Sequence, residues 1–196
     1  MAELRRGFVT WCENAARGYR RDLGLQPHAA LDPRKLAALL NVQILTPSNI
    51  PGVPNKALDQ LLNKDAGAWS AVTLTVRETS VIILNDTHKI TRQNSDLAHE
   101  LSHVILKHDP AQMFVTGDGK MVMNHYNQMH EEEAGRLSGT LLVPRDGLLY
   151  CIGQGYDDSE LAKYFVVSGQ LLTMRKNLSG VARQMSYRST SSGQRR

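Results

Sequence analysis

Apolar positions along the chain recur with two different periods, and the change of period marks the elements. From residue 4 to residue 23, apolar and aromatic positions alternate with arginines at helical spacing, which predicts a first helix. Asp32-Pro33 opens a second: Asp32 can cap it, Pro33 suits the first helical position, and Lys35 to Leu40 forms its body. A short strand-like run, Val42 to Leu45, leads into the stretch Thr46 to Asn55. Pro47, Pro51, Gly52 and Pro54 make that stretch a loop. The period then becomes two. Ala71 to Val76 alternates Val72, Leu74 and Val76 with threonines, a half-buried strand, and Val81 to Leu84 is a continuous apolar run suited to an inner strand. Arg77-Glu78-Thr79-Ser80 between them predicts a hairpin.

Helical spacing returns at Asn94-Ser95-Asp96, which supply cap residues for a helix from about Leu97 to Lys107. A second hairpin is predicted around Gly117-Asp118-Gly119, between Met113–Val115 and Met121–Met123. A long helix follows from about Asn124 to Leu142 and stops at Pro144. After a loop from Gly153 to Asp158, Asp157 and Glu160 make a capping-box pattern at the start of two short helices that meet around Val167 and Ser168. The methionines at 113, 121, 123 and 129 fit core packing. The fold class is α+β. Residues 1–30 hold the N-terminal helix, 31–148 the mixed unit, 149–188 a helical C-terminal lobe, and 189–196 a polar tail expected to be disordered.

Composition narrows the setting. The chain has 196 residues, 41% apolar and 21% charged, ordinary for a globular protein. Its net charge of +4 is concentrated near the ends, at Arg5, Arg6, Arg17, Arg20, Arg21, Arg195 and Arg196; such charge is more often a solvated face than a nucleic-acid surface. Two distant cysteines, Cys12 and Cys151, exclude a disulfide framework and a cysteine-ligated zinc. The first residues carry no signal-peptide core and no run reaches membrane-spanning length, so a cytoplasmic location is expected.

The chemistry lies in His99-Glu100-Leu101-Ser102-His103. Histidines four apart on a helix share one face, where two imidazole nitrogens can reach one Zn2+ at about 2.0–2.1 Å. Glu100 stands beside the first ligand, placed as a general base, and zinc brings the pKa of a bound water to about 7. Leu97, Ala98, Leu101, Val104, Ile105 and Leu106 make the helix apolar nearly all round, as a buried active-site helix should be. Two histidines and a glutamate in such surroundings are costly without a partner, and a metal is that partner.

A catalytic zinc usually takes three protein ligands. Asp109 lies six residues after His103, but no glycine turn precedes it, and His108 is one place out of register. On the long helix, the apolar face set by Ala134, Leu137, Leu141 and Leu142 puts Glu131 and His130 on or beside the inward side. Glu131 is the natural third ligand, with His130 the alternative by geometry. Glu132 and Glu133 point away and read as solvated. An oxyanion or substrate contact would come from His125, Tyr126 or His130, each of which can equally be a surface or packing residue. The strand Ala71 to Val76 could hold an extended substrate along a sheet edge.

Taken together, Val81-Ile82-Ile83-Leu84-Asn85, Arg92, Leu97-Ala98-His99-Glu100-Leu101-Ser102-His103 and Glu131-x-x-Ala134, ending in Leu141-Leu142-Val143-Pro144, resemble the ImmA/IrrE-type metallo-endopeptidases of bacteria and their mobile elements. The likeness runs from about Pro33 to Gly180. It implies a zincin-like metallopeptidase domain over 31–148, with Glu131 rather than His130 as the third zinc ligand. It departs from the pattern at Ser102, where glycine is usual, at Leu137-Ser138, and at Asp96. It further implies a cytoplasmic enzyme that cleaves a helix-turn-helix transcriptional repressor and so relieves repression of mobile-element or stress genes. The segment from Glu160 to Arg175 looks like a helix-turn-helix; direct DNA binding is the less favoured use of it. The competing reading is a non-proteolytic regulator that binds a repressor or DNA around a structural zinc, or a toxin–antitoxin component. Substrate identity, cleavage site, activating signal, oligomeric state and the choice of zinc over manganese are not encoded in these patterns, although the ligand set suits zinc best.

Overall fold

A computed structural model describes residues 4–76, 79–108, 112–115, 121–124, 127–181 and 184, with the backbone alone for 75–76, 112–115 and 121–124. The elements in chain order are α1 (Phe8–Asp22), α2 (Pro33–Leu39), β1 (Gln43–Leu45), α3 (Asn55–Asp59), β2 (Ala71–Val76), β3 (Thr79–Leu84), α4 (Ile90–Leu106), β4 (Gln112–Val115), β5 (Met121–Asn124), α5 (Gln128–Leu142), α6 (Arg145–Gly153), α7 (Asp158–Phe165) and α8 (Gly169–Ser179).

β3 is the middle strand of a three-stranded sheet. It pairs antiparallel with β2, Thr73 opposite Ile82, and parallel with β1, Ile44 beside Ile82. That central place explains its unbroken apolar run: Val81, Ile82 and Leu84 are all buried. The expected hairpin between β2 and β3 forms, although Arg77 and Glu78 at its turn lie outside the described residues. β4 and β5 form a separate antiparallel pair with Met113 opposite Met123; the Gly117-Asp118-Gly119 turn, Asp109 and the tail from Ser189 also lie outside the described residues.

Two apolar clusters share α4 as their common wall. One gathers Phe8, Cys12 and Ala16 of α1, Leu36 of α2, Ile82 and Leu84 of β3, Leu97 and Leu101 of α4, and Leu137 and Leu141 of α5. The other holds Ala98 of α4 with Leu142, Leu148, Cys151, Leu161, Phe165 and Leu172 from α5 to α8. α4 and α5 therefore bury one face each against the other and against these clusters.

Two helix starts differ from the sequence reading, and two helical stretches, α6 and 55–64, stand where no element was expected. α4 begins at Ile90, seven residues before the expected start, so Asn94-Ser95-Asp96 lie inside it; Asn94 is buried, donating to Val166 O at 3.2 Å. α5 begins at Gln128 instead of Asn124, because Asn124 ends β5 and the Asn127 side chain caps α5 by accepting from Met129 N and His130 N. The stretch 55–64 is helical where no element was expected: α3 continues into one wide turn, Gln60–Lys64. The cap of α2 at Asp32-Pro33 and the Asp157–Glu160 capping box of α7 form as expected. No helix among the described residues is long and apolar enough to cross a membrane.

Candidate metal centre

α4 and α5 bring three side chains together. His99 and His103 project from one face of α4, one turn apart, and Glu131 faces them from the first turn of α5. His99 Nε2 lies 3.1 Å from His103 Nε2 and 3.1 Å from Glu131 Oε2, and His103 Nε2 lies 3.4 Å from Glu131 Oε1. Donor atoms held at 2.0–2.1 Å around a tetrahedral ion stand about 3.3 Å apart. The three pairs, the two to Glu131 made through different carboxylate oxygens, lie near that separation, so this donor set could hold one small cation. Direct hydrogen bonding does not account for the triangle as well, because a neutral imidazole ligand nitrogen has one lone pair or one proton to share, not both. Among the described residues, no other group of three or more His, Cys, Asp or Glu side chains is gathered in this way.

The surroundings favour neutral imidazoles and an open mouth. Burial and the neighbouring His99 hold His103 down at about 4, so it offers a lone pair at neutral pH. The side chains of His99, His103 and Glu131 are 31%, 20% and 36% exposed, so one side of the cluster is open to solvent. Both cysteines are buried free thiols, and desolvation pushes Cys12 up to about 12, which removes it from metal chemistry.

Glu100 sits beside the triangle and does not belong to it. Thr73 Oγ donates to Glu100 Oε2 at 2.5 Å. The contact follows from the sheet register: Thr73 is directly across from buried Ile82, so both point to the face that α4 covers. Burial raises the Glu100 carboxyl above its ordinary value, and the Thr73 hydrogen bond opposes that rise. A half-buried carboxylate with its proton affinity raised, fixed by one hydroxyl, is suited to taking up a proton.

The other expected positions separate into three groups. His130 stacks face to face on His108, with ring centres 4.1 Å apart, and is not one of the three clustered donors. His125 and Tyr126 lie outside the described residues. Glu133 is a correction: expected to be solvated, it is buried, pairing with His108 and Arg5. Ser102, where glycine is usual, is accommodated because its hydroxyl donates to Ala98 O at 2.7 Å. Thr73 was not singled out by sequence, and His108 was weighed only as a third ligand and set aside. The alternation of threonines on β2 was the available signal for the first, and the position of His108 five residues after His103 for the second.

Comparison with known proteins agrees with this geometry. The model of a peptidase family described as IrrE N-terminal-like domain matches residues 60–177, which include β2, β3, α4 and α5. No curated protein matches significantly. Among solved structures, a Mycobacterium tuberculosis transcriptional regulator is similar at a TM-score of 0.55 and 15% identity, over 87% of this chain and 47% of that one. The likeness is one of fold, and this chain spans about half the length of that protein.

Proposed function

The chain belongs to the IrrE N-terminal-like peptidase family, a metallopeptidase family, and from that premise we propose that it is a zinc-dependent endopeptidase acting in the cytoplasm on a helix-turn-helix transcriptional repressor. The observation that carries the reading is the convergence of His99, His103 and Glu131 with Glu100 alongside, held by Thr73. A zinc ion at this donor set would supply Lewis acidity and a nucleophile usable at neutral pH.

The chain's own residues divide the remaining work. His99, His103 and Glu131 would hold a cation, and the cluster they form is open to solvent on the side where substrate would approach. Glu100 accepts the proton released on attack at the scissile carbonyl and returns it to the leaving amine. Thr73 keeps Glu100 Oε2 oriented. β2 pairs with β3 along one edge only among the described residues, so its other edge can take an extended segment of substrate as an added strand. A repressor is the substrate expected from the family resemblance, and relief of repression would follow from its limited cleavage.

A DNA-binding regulator with structural zinc draws less support. α7 and α8 pack on each other across a short turn, but Arg175 is buried and Lys176 pairs with Asp158 at 2.6 Å. The outward side of α8 carries Gln170, Thr173, Met174, Asn177 and Leu178, a poor complement to phosphate.

Co-expression with a helix-turn-helix repressor from the same genome tests the proposal, with Glu100→Gln as the comparison. Cleavage by the wild type, lost by at least about 100-fold in the variant while zinc stays bound, is the expected result. Equal relief of repression by both proteins, without cleavage, would establish the non-proteolytic alternative. Equal digestion of unrelated unfolded chains would overturn the limited-proteolysis part.

A further inference from the structure

Behind His103 lies a second layer that the zinc signature does not contain. α4 ends at Leu106, and Lys107, which follows it, has a left-handed backbone at φ 54° and ψ 40°. Lys107 N–H donates to Val104 O at 3.1 Å and His108 N–H to His103 O at 3.0 Å, the two bonds of a Schellman ending. This reversal brings His108 back beside His103, with the rings edge to face and their centres 5.0 Å apart. His103 Nδ1 is then 3.0 Å from His108 Nδ1, and His108 Nε2 is 3.1 Å from Glu133 Oε2. Arg5 Nε–H donates to Glu133 Oε1 at 2.9 Å, and His130 covers the flat face of His108. The side chains of His108 and Glu133 are only 5% and 8% exposed, in contrast to the open cluster in front of them.

With the imidazole rings neutral, the chain of contacts admits one consistent set of protons. Glu133, ion-paired with Arg5, only accepts, so His108 carries its proton on Nε2. Neutral His108 then presents a lone pair at Nδ1, and His103 must donate from its own Nδ1. That leaves the His103 lone pair on Nε2, the atom that meets His99 and Glu131. We infer that His108 and Glu133 are positioning residues that fix the ring orientation and tautomer of His103 for metal binding. The arrangement follows the general rule that a ligating histidine donates its other N–H to a fixed acceptor, here a second imidazole backed by a buried carboxylate. Their role rests on the metal-site reading above.

Zinc affinity by chelator competition, together with imidazole nitrogen spectra of the zinc-loaded full chain, tests the relay. The wild-type spectrum is expected to show His103 protonated on Nδ1 and bound through Nε2, and His108 protonated on Nε2. His108→Leu should weaken zinc binding about 10–100-fold. His108→Asn, whose amide oxygen can take the place of Nδ1 as acceptor, should restore most of it. The opposite tautomer at His103 would overturn the relay, as would unchanged zinc affinity in His108→Leu with a lower melting temperature, the mark of packing alone. If His108→Leu fails to fold, the wild-type spectrum still decides. A wild type that takes up no zinc would remove the metal site and the relay together; a wild type and a His108→Leu variant that bind zinc equally would remove the relay only.

Discussion

Thr73 illustrates how much of the chemistry depends on single contacts. Among the described residues its hydroxyl is the hydrogen-bond partner of the Glu100 carboxylate, and a hydrogen bond to a charged group contributes roughly 1.5–3 kcal/mol. Thr73→Val keeps the shape and the β-branched strand preference while deleting that bond. The expected outcome is a fall in kcat of about 10-fold or more, with zinc content unchanged and Thr73→Ser close to wild type. Loss of zinc in Thr73→Val would show instead that the threonine supports the fold of the metal site. Glu133 carries the converse lesson at the same scale. Glu133 stands four residues before Leu137 on α5, about 40° around the helix from it, so it borders the apolar face and the reading of it as solvated overlooked that neighbour. It is buried because a second surface, the returning chain at His108 and the side chain of Arg5, arrives on that side.

Contacts between elements are where pH enters. Arg17 of α1 grips Asp146 of α6 with two bonds, Nε to Oδ2 at 2.5 Å and Nη2 to Oδ1 at 2.9 Å. The Arg17 guanidinium holds the Asp146 carboxyl below its ordinary value of 3.8. A depressed carboxylate contributes stability in full above the unfolded-state value and loses it as pH falls through the folded-state value. The pair is partly exposed, so solvent screening limits it to about 0.5–1 kcal/mol. Urea midpoints of wild type and Asp146→Asn should therefore differ by that amount at pH 7 and converge below the ordinary carboxylate value. A gap that persists to the lowest pH would assign the loss to something other than charge. Elements with a strong local period, namely α1, α2, β2, β3, the core of α4 and the α7–α8 pair, were legible from the chain itself, as were His99 and His103, whereas the family resemblance was needed to prefer Glu131 to His130. The early start of α4, the late start of α5 and the helical turns over 55–64 were not. Each of those boundaries is set by tertiary contacts: Asn94 reaching Val166, Asn124 drawn into β5, and the turn before β2 tied by Asn85 to Ala66 O and Trp69 O.

Across the whole molecule, the third ligand is held by what happens at the opposite end of its helix. Glu131 lies in the first turn of α5, and the last carbonyls of that helix would be orphaned in the interior without partners. Two buried arginines supply them from elsewhere in the chain. Arg20 of α1 donates to Leu141 O at 2.8 Å, and also to Ala16 O and Ala29 O; Arg175 of α8 donates to Val143 O at 2.9 Å and to Glu13 Oε1 at 2.7 Å. Burial lowers the Arg20 pKa to about 10, so the guanidinium stays charged at neutral pH despite its desolvation. The N-terminal helix and the C-terminal lobe are thus joined to the helix that presents Glu131, and neither is an independent appendage. Arg20→Met matches the side chain's length without its donors and would take the side-chain partner from Leu141 O and Ala29 O, while Ala16 O keeps its bond within α1. The cost is expected to be about 3 kcal/mol, read as a lower urea midpoint at neutral pH with an unchanged slope. Because Leu141 is ten residues along the same helix from Glu131, zinc should in turn stabilise the variant and the wild type by the same increment if α5 remains one rigid body, and by less in the variant if its C-terminal turn frays. A variant as stable as wild type would mean that Arg175 alone secures the end of α5.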